Sequence, residues 1–228
     1  MQSGFNVISV GGSIIIPQTG FDSQFLKQFR DLIIKQVKSG KKFILVIGGG
    51  ATARQYQAAA KNVGIIDREE LDYIGIAATV LNANFVKRLF GDLAYAEVVT
   101  NPTKKVKTSK PIIIAAGWKP GCSTDTDAVL MAKTYDAKAM YNLSNIDYVY
   151  TSDPKTNPTA EKIMTISWRD FRKIIGDEWN PGANLPFDPI AAKTAEKLKL
   201  TVGFVRGDNL VEVEQALSFG QFNGTTIR

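Results

Sequence analysis

Histidine is absent from this sequence of 228 residues, and cysteine occurs once, as Cys122. Without histidine the chain cannot use a Ser-His or Cys-His nucleophile pair, a histidine general base or a histidine metal site. A single cysteine excludes an internal disulfide and a cysteine-based structural zinc site. Any catalysis must therefore rely on lysine, arginine, aspartate, backbone amides and a metal ion held by phosphate oxygens, and these groups suffice for phosphoryl transfer.

Long apolar runs are also missing, and none approaches the length of a membrane span. The first residues lack the basic region, apolar stretch and cleavage site of a signal peptide, so we expect a cytoplasmic protein with no membrane partner. The net charge of +6 favours anionic ligands. The densest basic stretch, residues 104–110, contains no aromatic residue, and it predicts a solvated loop without a nucleic-acid partner.

Strand-like and helix-like segments alternate along the whole chain. The predicted strands span residues 5–10, 43–47, 94–99, 112–116, 137–143 and 202–205. The predicted helices begin near Asp22, after Gly50 and near Asp67, and four more span residues 125–135, 167–175, 189–199 and 209–218. The helix near Asp67 is expected to bury Leu81 among its apolar residues. Strands separated by helices predict an α/β fold, a three-layer αβα sandwich around a mainly parallel sheet.

Two glycine turns follow the first two predicted strands. Gly11-Gly12-Ser13 comes after residues 5–10, and Gly48-Gly49-Gly50 comes after residues 43–47. Glycine lets backbone N–H groups turn toward an anion, and a following helix adds the positive end of its dipole. Neither turn has the spacing of a Walker or dinucleotide-binding motif, and either alone could be an ordinary strand-to-helix connection. Together they predict a site that holds two phosphate chains face to face, as phosphoryl transfer requires.

Two later loops carry further candidate residues. In the first, residues 117–125, Thr124 and Asp125 fall at a predicted helix start, where either side chain could cap free N–H groups. The alternative is functional: Thr124 would contact a bound base, and Asp125 would organise cations at the transfer point. The second loop, residues 144–154, is rich in hydrogen-bonding side chains and tyrosine, which suits a purine and a ribose. An ordinary turn beginning at Asp153 is the alternative.

In their order along the chain, these segments resemble the amino acid kinase superfamily and, within it, uridylate kinases of the archaeal type. The matching segments are residues 7–13, 48–56, 72–82, 120–125, 145–154, 188–193 and 223–227. The resemblance implies one amino acid kinase domain over residues 1–228 with a sheet of about eight strands. It also implies that residues up to about 116 bind the acceptor and that residues from about 117 bind ATP.

The resemblance assigns site residues position by position. It implies that Gly11, Gly12, Ser13, Gly49, Gly50 and Arg54 contact the phosphates between the two nucleotides. It implies UMP contacts at Gly49, Asp72, Pro120, Gly121, Cys122, Ser123 and Thr124, and further ATP contacts at Ser144, Asn145, Tyr150 and Asp153. Catalytic roles fall to Arg54 and Asp125. Guanidinium is permanently charged and grips phosphate in a fork, so Arg54 suits this role, although it could also be a solvent-facing helix residue. Asn82 matches a recurring position that helix packing explains almost as well.

The activity that the resemblance implies is the transfer of a phosphoryl group from ATP to UMP, giving ADP and UDP in pyrimidine nucleotide biosynthesis. Mg²⁺ would enter with ATP and bridge the donor phosphates, without a metal site of the protein itself, and the chain would form a homohexamer. Other acceptors of the superfamily remain open, namely carbamate, an acyl amino acid or isopentenyl phosphate. A non-catalytic storage protein on the same fold also remains open.

The sequence departs from the superfamily pattern at three positions. Ser9 stands where many relatives carry a lysine that neutralises charge in the transition state. Tyr148 replaces a glycine in the loop assigned to ATP, and Asp127 adds a carboxylate after Asp125. The absence of the lysine argues against a lysine mechanism more than against kinase activity.

Overall fold

A computed structural model describes residues 4–178 and 185–228 of the chain. Its strands are β1 (Phe5–Val10), β2 (Lys42–Ile47), β3 (Ile112–Ala115), β4 (Ala139–Ser144), β5 (Val149–Tyr150), β6 (Lys162–Ile163), β7 (Thr165–Ile166), β8 (Thr201–Arg206) and β9 (Gly224–Ile227). Its α-helices are α1 (Gly12–Ile15), α2 (Ser23–Lys38), α3 (Gly50–Asn62), α4 (Arg68–Phe90), α5 (Thr124–Thr134), α6 (Trp168–Ile175), α7 (Pro189–Lys197) and α8 (Leu210–Phe219). Helices α2 and α4 begin where the sequence predicts, and Asp22 and Asp67 cap them, because their carboxylates accept hydrogen bonds from the N–H groups of Phe25 and Glu70.

The main sheet has seven strands in the order β3-β2-β1-β4-β8-β9-β7. All neighbouring strands in it run parallel except β8 and β9, and β5 pairs with β6 in a separate antiparallel ribbon. The chain proceeds outward from β1 to β2 and β3, then crosses to the other side of β1 to form β4. In parallel sheets, ligands bind outside the carboxyl ends of the strands at such a reversal. The glycine turns after β1 and β2 lie at this edge.

Residues of each strand alternate between two hydrophobic cores, one on each face of the sheet. Ile8 and Val10 of β1 belong to the core that α2, α4 and α8 cover, whereas Val7 belongs to the core under α5, α6 and α7. Helices therefore cover both faces, and the predicted αβα sandwich with a mainly parallel sheet is confirmed. The same alternation turns Ser9 toward α5.

Residues 94–99 do not form the predicted strand. They touch β3 only through isolated bridges, in which Ala94 pairs with Ile112 and Val99 pairs with Ala115. The residues between these two bridges include Ala96 and Glu97, which are exposed. The segment therefore pairs with the edge strand β3 at its two ends and does not pair with it in between.

The buried face of α4 also differs from the prediction. Leu81 is 59% exposed, whereas Ala78, Asn82 and Val86 are buried at intervals of one helical turn. Phe85 and Leu89 of the predicted stripe are partly buried and pack against the core, so Leu81 is the member of the stripe that the structure places in solvent. Strand β9 was not among the predicted strands, and it completes the sheet between β8 and β7. Among the described helices, none has both the length and the apolar character needed to cross a bilayer.

Candidate functional site

The two glycine turns touch each other through their backbones. A Cβ atom built on Gly12 would lie 2.0 Å from the backbone nitrogen of Gly50, and one built on Gly50 would lie 2.3 Å from the carbonyl oxygen of Gly12. Gly50 also has φ of +59°, which non-glycine residues rarely adopt. The N–H of Ala51 donates to the carbonyl of Ile16 at 3.1 Å, which joins α3 to the end of α1. Only glycine permits this approach, and it places the starts of α1 and α3 side by side.

The side chain of Asn82 on α4 holds the second glycine turn through two hydrogen bonds. Its side-chain N–H groups donate to the carbonyl oxygens of Gly48 and Gly49, both at 2.9 Å, and the side chain is only 2% exposed. This contact gives Asn82 a definite role, since it holds the turn without itself reaching the site. From the sequence, helix packing explained the asparagine at this position almost as well as a role in the site. The structure shows that the Asn82 side chain is hydrogen-bonded to the second glycine turn.

A cleft of about 1000 Å³ opens beside the first glycine turn, and it brings together candidates from three parts of the chain. Ser13, Arg54 and Asn145 all line it, and Asp22 and Asp208 contribute carboxylates. Arg54 is exposed on α3, and among the described residues no carboxylate forms an ion pair with it. Its guanidinium is therefore available to an anionic ligand, and the cleft is within the size range of small-molecule sites.

The loop predicted to contact UMP is tied to α4 at two points. The carboxylate of Asp72 accepts a hydrogen bond from the N–H of Gly121 at 3.0 Å. The hydroxyl of Thr79 accepts one from the N–H of Gly117 at 2.9 Å. Asp72 therefore lies directly beside residues 120–124, as the assignment to one nucleotide requires. Sequence reasoning missed Thr79, because nothing in its local pattern distinguishes it from a packing residue.

The interpretation of Thr124 or Asp125 as the cap of the next helix is wrong. Ser123 is the N-cap residue of α5, and its hydroxyl accepts a hydrogen bond from the N–H of Thr126 at 3.2 Å. The same hydroxyl donates to the carboxylate of Asp188, which caps α7. Because Ser123 caps the helix, the side chain of Asp125 is free to turn toward the sheet.

Asp125 is held by the central strands. Its Oδ1 atom accepts hydrogen bonds from the hydroxyl of Ser9 at 3.0 Å and from the side-chain amide of Asn142 at 2.9 Å. Burial, together with the charge of Asp188, raises the pKa of Asp125 to about 6 against the lowering effect of these hydrogen bonds. Ser9, at the position where many relatives carry lysine, therefore orients a carboxylate and supplies no positive charge.

Asp127 lies next to this carboxylate and is 1% exposed. Its Oδ2 atom accepts a hydrogen bond from the N–H of Trp118 at 3.2 Å, whereas Oδ1 is the one buried side-chain oxygen or nitrogen among residues 4–178 and 185–228 that has no partner. Burial raises the pKa of Asp127 to about 7, with the charges of Asp125 and Asp188 adding to the effect. In the described part of the chain, no group of three acidic or cysteine side chains is placed to hold a metal ion.

The candidate ATP residues of the loop after β4 are not all in one place. Asn145 lines the cleft, and Ser144 ends β4 beside it, whereas Tyr150 and Asp153 are not among the lining residues. Asp153 is exposed, and its carboxylate accepts a hydrogen bond from the N–H of Lys155 at 2.9 Å. This hydrogen bond is typical of an ordinary turn beginning at Asp153, which is the alternative that the sequence analysis gives for this loop. The roles of Tyr150 and Asp153 toward ATP stay predictions.

Tyr148, which replaces the glycine of the superfamily pattern, is largely buried. Its hydroxyl donates to the side-chain oxygen of Asn223 at 3.4 Å, and the ammonium group of Lys162 lies 4.9 Å from the centre of its ring. The larger side chain therefore packs against the segment before β9, and it is not among the residues that line the cleft.

Comparison with known proteins gives consistent results over nearly the whole chain. Residues 4–204 match the model of the amino acid kinase family. A uridylate kinase of Methanocorpusculum labreanum is 33% identical over 97% of this chain and 94% of its own length. One from Methanosarcina mazei is 36% identical over 85% of this chain and 83% of its own length. The crystal structure of uridylate kinase from Archaeoglobus fulgidus superimposes with a TM-score of 0.82 at 28% identity, covering 98% of this chain and all of that chain.

Substitution of Gly12 by alanine tests the contact between the glycine turns. Because the added methyl group would overlap backbone atoms of Gly50, we expect Gly12→Ala to lower the free energy of unfolding by about 1–3 kcal/mol or more. Gly4→Ala is the control, since nothing lies within 4 Å of its Cβ position. Denaturant unfolding of both variants checks this expectation, and equal midpoints would contradict it.

Substitution of Asp127 by asparagine tests the burial of its carboxyl group. The folded-state pKa of about 7 exceeds the unfolded value, so wild-type stability is lost as the pH rises from about 4 to about 7, while the unfolded chain ionises first. We expect Asp127→Asn to be more stable than wild type at pH 8, with a difference that shrinks toward pH 4. Urea midpoints across this range measure the difference. Asp92→Asn, at an exposed position, should show no such pH-dependent gain.

Proposed function

This chain belongs to the amino acid kinase family, and we propose that it is a uridylate kinase, which transfers the terminal phosphoryl group of ATP to UMP. The observation that carries the proposal is the contact between the two glycine turns beside a cleft that Ser13, Arg54 and Asn145 line. Relatives named uridylate kinase, similar over nearly the full length of the chain, support the choice of acceptor. The UDP product would enter pyrimidine nucleotide biosynthesis.

The reaction makes modest demands on side-chain chemistry. The attacking atom is a phosphate oxygen of UMP that is already ionised at neutral pH, so no general base is needed, and the absence of histidine is no obstacle. The glycine turns present backbone N–H groups at the point where the two nucleotides would meet. Arg54 would stabilise charge on the transferring group, and the paired turns would align donor and acceptor.

Mg²⁺ fits this site as a companion of ATP. It is usually bound by one or two carboxylates together with substrate phosphates, and it neutralises charge on the phosphate oxygens when bound. Asp125 offers a carboxylate at the carboxyl edge of the sheet, where Ser9 and Asn142 fix its orientation. Of the other two acidic groups nearby, Asp188 caps α7, and Asp127 is buried with one oxygen bonded to the N–H of Trp118.

The acceptor side of the proposal depends on the junction between α4 and the loop before α5. Asp72 would turn from the N–H of Gly121 to the ribose hydroxyls of UMP, and residues 120–124 would contact the uracil. A site that joins a phosphate contact, a ribose contact and a base contact distinguishes a nucleotide from a carboxylate acceptor. This distinction favours UMP over the other acceptors of the family.

Self-association is also part of the proposal, with the homohexamer as the expected form. Several large apolar side chains of α3, α4 and their connection are exposed, among them Tyr56, Val63, Ile66, Tyr73 and Leu81. Contiguous exposed apolar surface commonly marks a protein interface. An interface there would account for the outward-facing apolar residues of α4.

A coupled ADP-release assay tests the choice of acceptor. We expect UMP to be phosphorylated far faster than CMP, AMP, carbamate, an acyl amino acid or isopentenyl phosphate. The physical reason is that only UMP would satisfy the phosphate, ribose and base contacts together. Faster turnover of any other acceptor would replace the proposal with another kinase activity. No turnover of any acceptor, together with tight nucleotide binding, would favour a storage protein.

Arg54→Ala tests the catalytic step. Loss of one charge-stabilising contact commonly lowers turnover by about a hundredfold or more, so we expect such a fall in kcat at saturating ATP and UMP. Arg169→Ala, at an exposed position on α6, is the control and should keep wild-type kcat. A change confined to KM would mean that Arg54 binds ground state and transition state equally.

A further inference from the structure

Arg206 ends β8 at the same edge of the sheet as the glycine turns. In the parallel pairing of β4 and β8, Arg206 lies opposite Ser144, and the next residue, Gly207, donates its N–H to the carbonyl of Ser144 at 2.8 Å. The neighbouring Leu143 accepts the N–H of Gly11 at 2.8 Å. The loop after β8 is therefore joined through β4 to the first glycine turn.

The guanidinium of Arg206 bridges two carboxylates on either side of it. Its Nε and Nη2 atoms donate to the two oxygens of Asp208 at 2.7 and 3.1 Å, and its Nη1 atom donates to Asp147 at 3.1 Å. Asp208 belongs to the loop after β8 and Asp147 to the loop after β4. These hydrogen bonds raise the pKa of Arg206, so the side chain stays charged. Arg206 thus connects the two loops and carries the only positive charge of the trio.

The two carboxylates that Arg206 bridges lie at the cleft or beside it. Asp208 lines the cleft together with Asn145, and Asp147 is two residues beyond Asn145. The cleft already holds the carboxylate of Asp22, against the single cation Arg54 among its lining residues. Asp147, Asp208 and Arg206 together carry one net negative charge, and loss of Arg206 would leave two negative charges beside the cleft. Such charges disfavour the approach and binding of an anion.

We propose that Arg206 is a positioning residue for the donor nucleotide, which acts by offsetting one of the two negative charges of Asp147 and Asp208 so that the ATP phosphates can occupy the cleft. The proposal rests on the function proposed above, since it takes the cleft as the site of ATP. Arg206 acts through its two carboxylate partners and does not itself touch the phosphates. Its side chain is 43% exposed, so the effect depends on ionic strength.

Arg206→Ala is the first variant for the test, and Arg172→Ala is its matched control. Arg172 also joins two carboxylates, those of Asp177 and Glu196, but it lies on α6 at the opposite face of the sheet. Calorimetric titration with a non-hydrolysable ATP analogue should show affinity on the order of tenfold weaker for Arg206→Ala at low salt, and a smaller loss at high salt. UMP affinity should stay within about twofold of wild type, and Arg172→Ala should bind the analogue normally. Analogue binding by Arg206→Ala that matches wild type would overturn the proposal, as would an equal loss of UMP affinity.

A second variant separates charge neutralisation from direct contact. Asp147→Asn and Asp208→Asn, added to Arg206→Ala, remove the negative charges that Arg206 balances. If Arg206 acts through these carboxylates, the triple variant should bind the ATP analogue at least as tightly as wild type, because the three wild-type side chains together still carry one negative charge and the three replacements carry none. Persistent weak binding by the triple variant would overturn the proposal, because it would mean that the phosphates or the loop structure need the guanidinium itself.

Binding and turnover together distinguish this inference from the proposed function. If wild type binds the ATP analogue but does not phosphorylate UMP, the proposed acceptor is wrong, and the Arg206 titrations still decide the inference. If wild type phosphorylates UMP and Arg206→Ala binds the analogue normally, the inference alone fails. With both correct, Arg206→Ala should raise KM for ATP in the UMP assay, with kcat and KM for UMP nearly unchanged.

Discussion

The contact between the backbones of Gly12 and Gly50 is the constraint on which the rest of the site depends. Two helices can begin side by side at the carboxyl edge of the sheet only because neither turn carries a Cβ there. The approach is reinforced from α4, where Asn82 bonds the carbonyls of Gly48 and Gly49. This arrangement places the starts of α1 and α3 next to each other, which is the geometry that we expect for a phosphoryl group shared between two nucleotides.

The alternation of side chains along the central strands determines which of their residues contact α5 and its Asp125. Ile8 and Val10 point into one core, so Ser9 points toward α5 and bonds Asp125. On β4, Asn142 points the same way and bonds the same carboxylate. A serine in place of a lysine therefore changes the chemistry of this position from charge neutralisation to orientation of an acidic group. Positive charge at the site is left to Arg54 and to backbone N–H groups.

Much of the fold could be predicted from the sequence, because strong local signals mark its elements. Asp22 and Asp67 cap helices where the sequence places them, and the alternation of strands and helices indicates the parallel sheet. The sequence failed where tertiary contacts override local pattern. Leu81 belongs to an apolar stripe but is itself exposed, and residues 94–99 have strand-like composition but pair with β3 only through two isolated bridges. Contacts such as Asp72 with Gly121 join residues far apart in sequence, and no local pattern contains them.

Strand β9 has a consequence for the order in which the sheet forms. In the main sheet, β7 hydrogen-bonds only to β9, and β9 lies between β7 and β8. Since β9 follows β7 by more than fifty residues in the sequence, β7 cannot join the sheet until almost the entire chain is available. During synthesis on a ribosome, the pairing of β1 with β2 and of β2 with β3 needs only residues up to 115, so that half can assemble first. Until β4 is made, the edge of β1 that β4 later covers stays unpaired, and it is open to pairing with a strand from another chain.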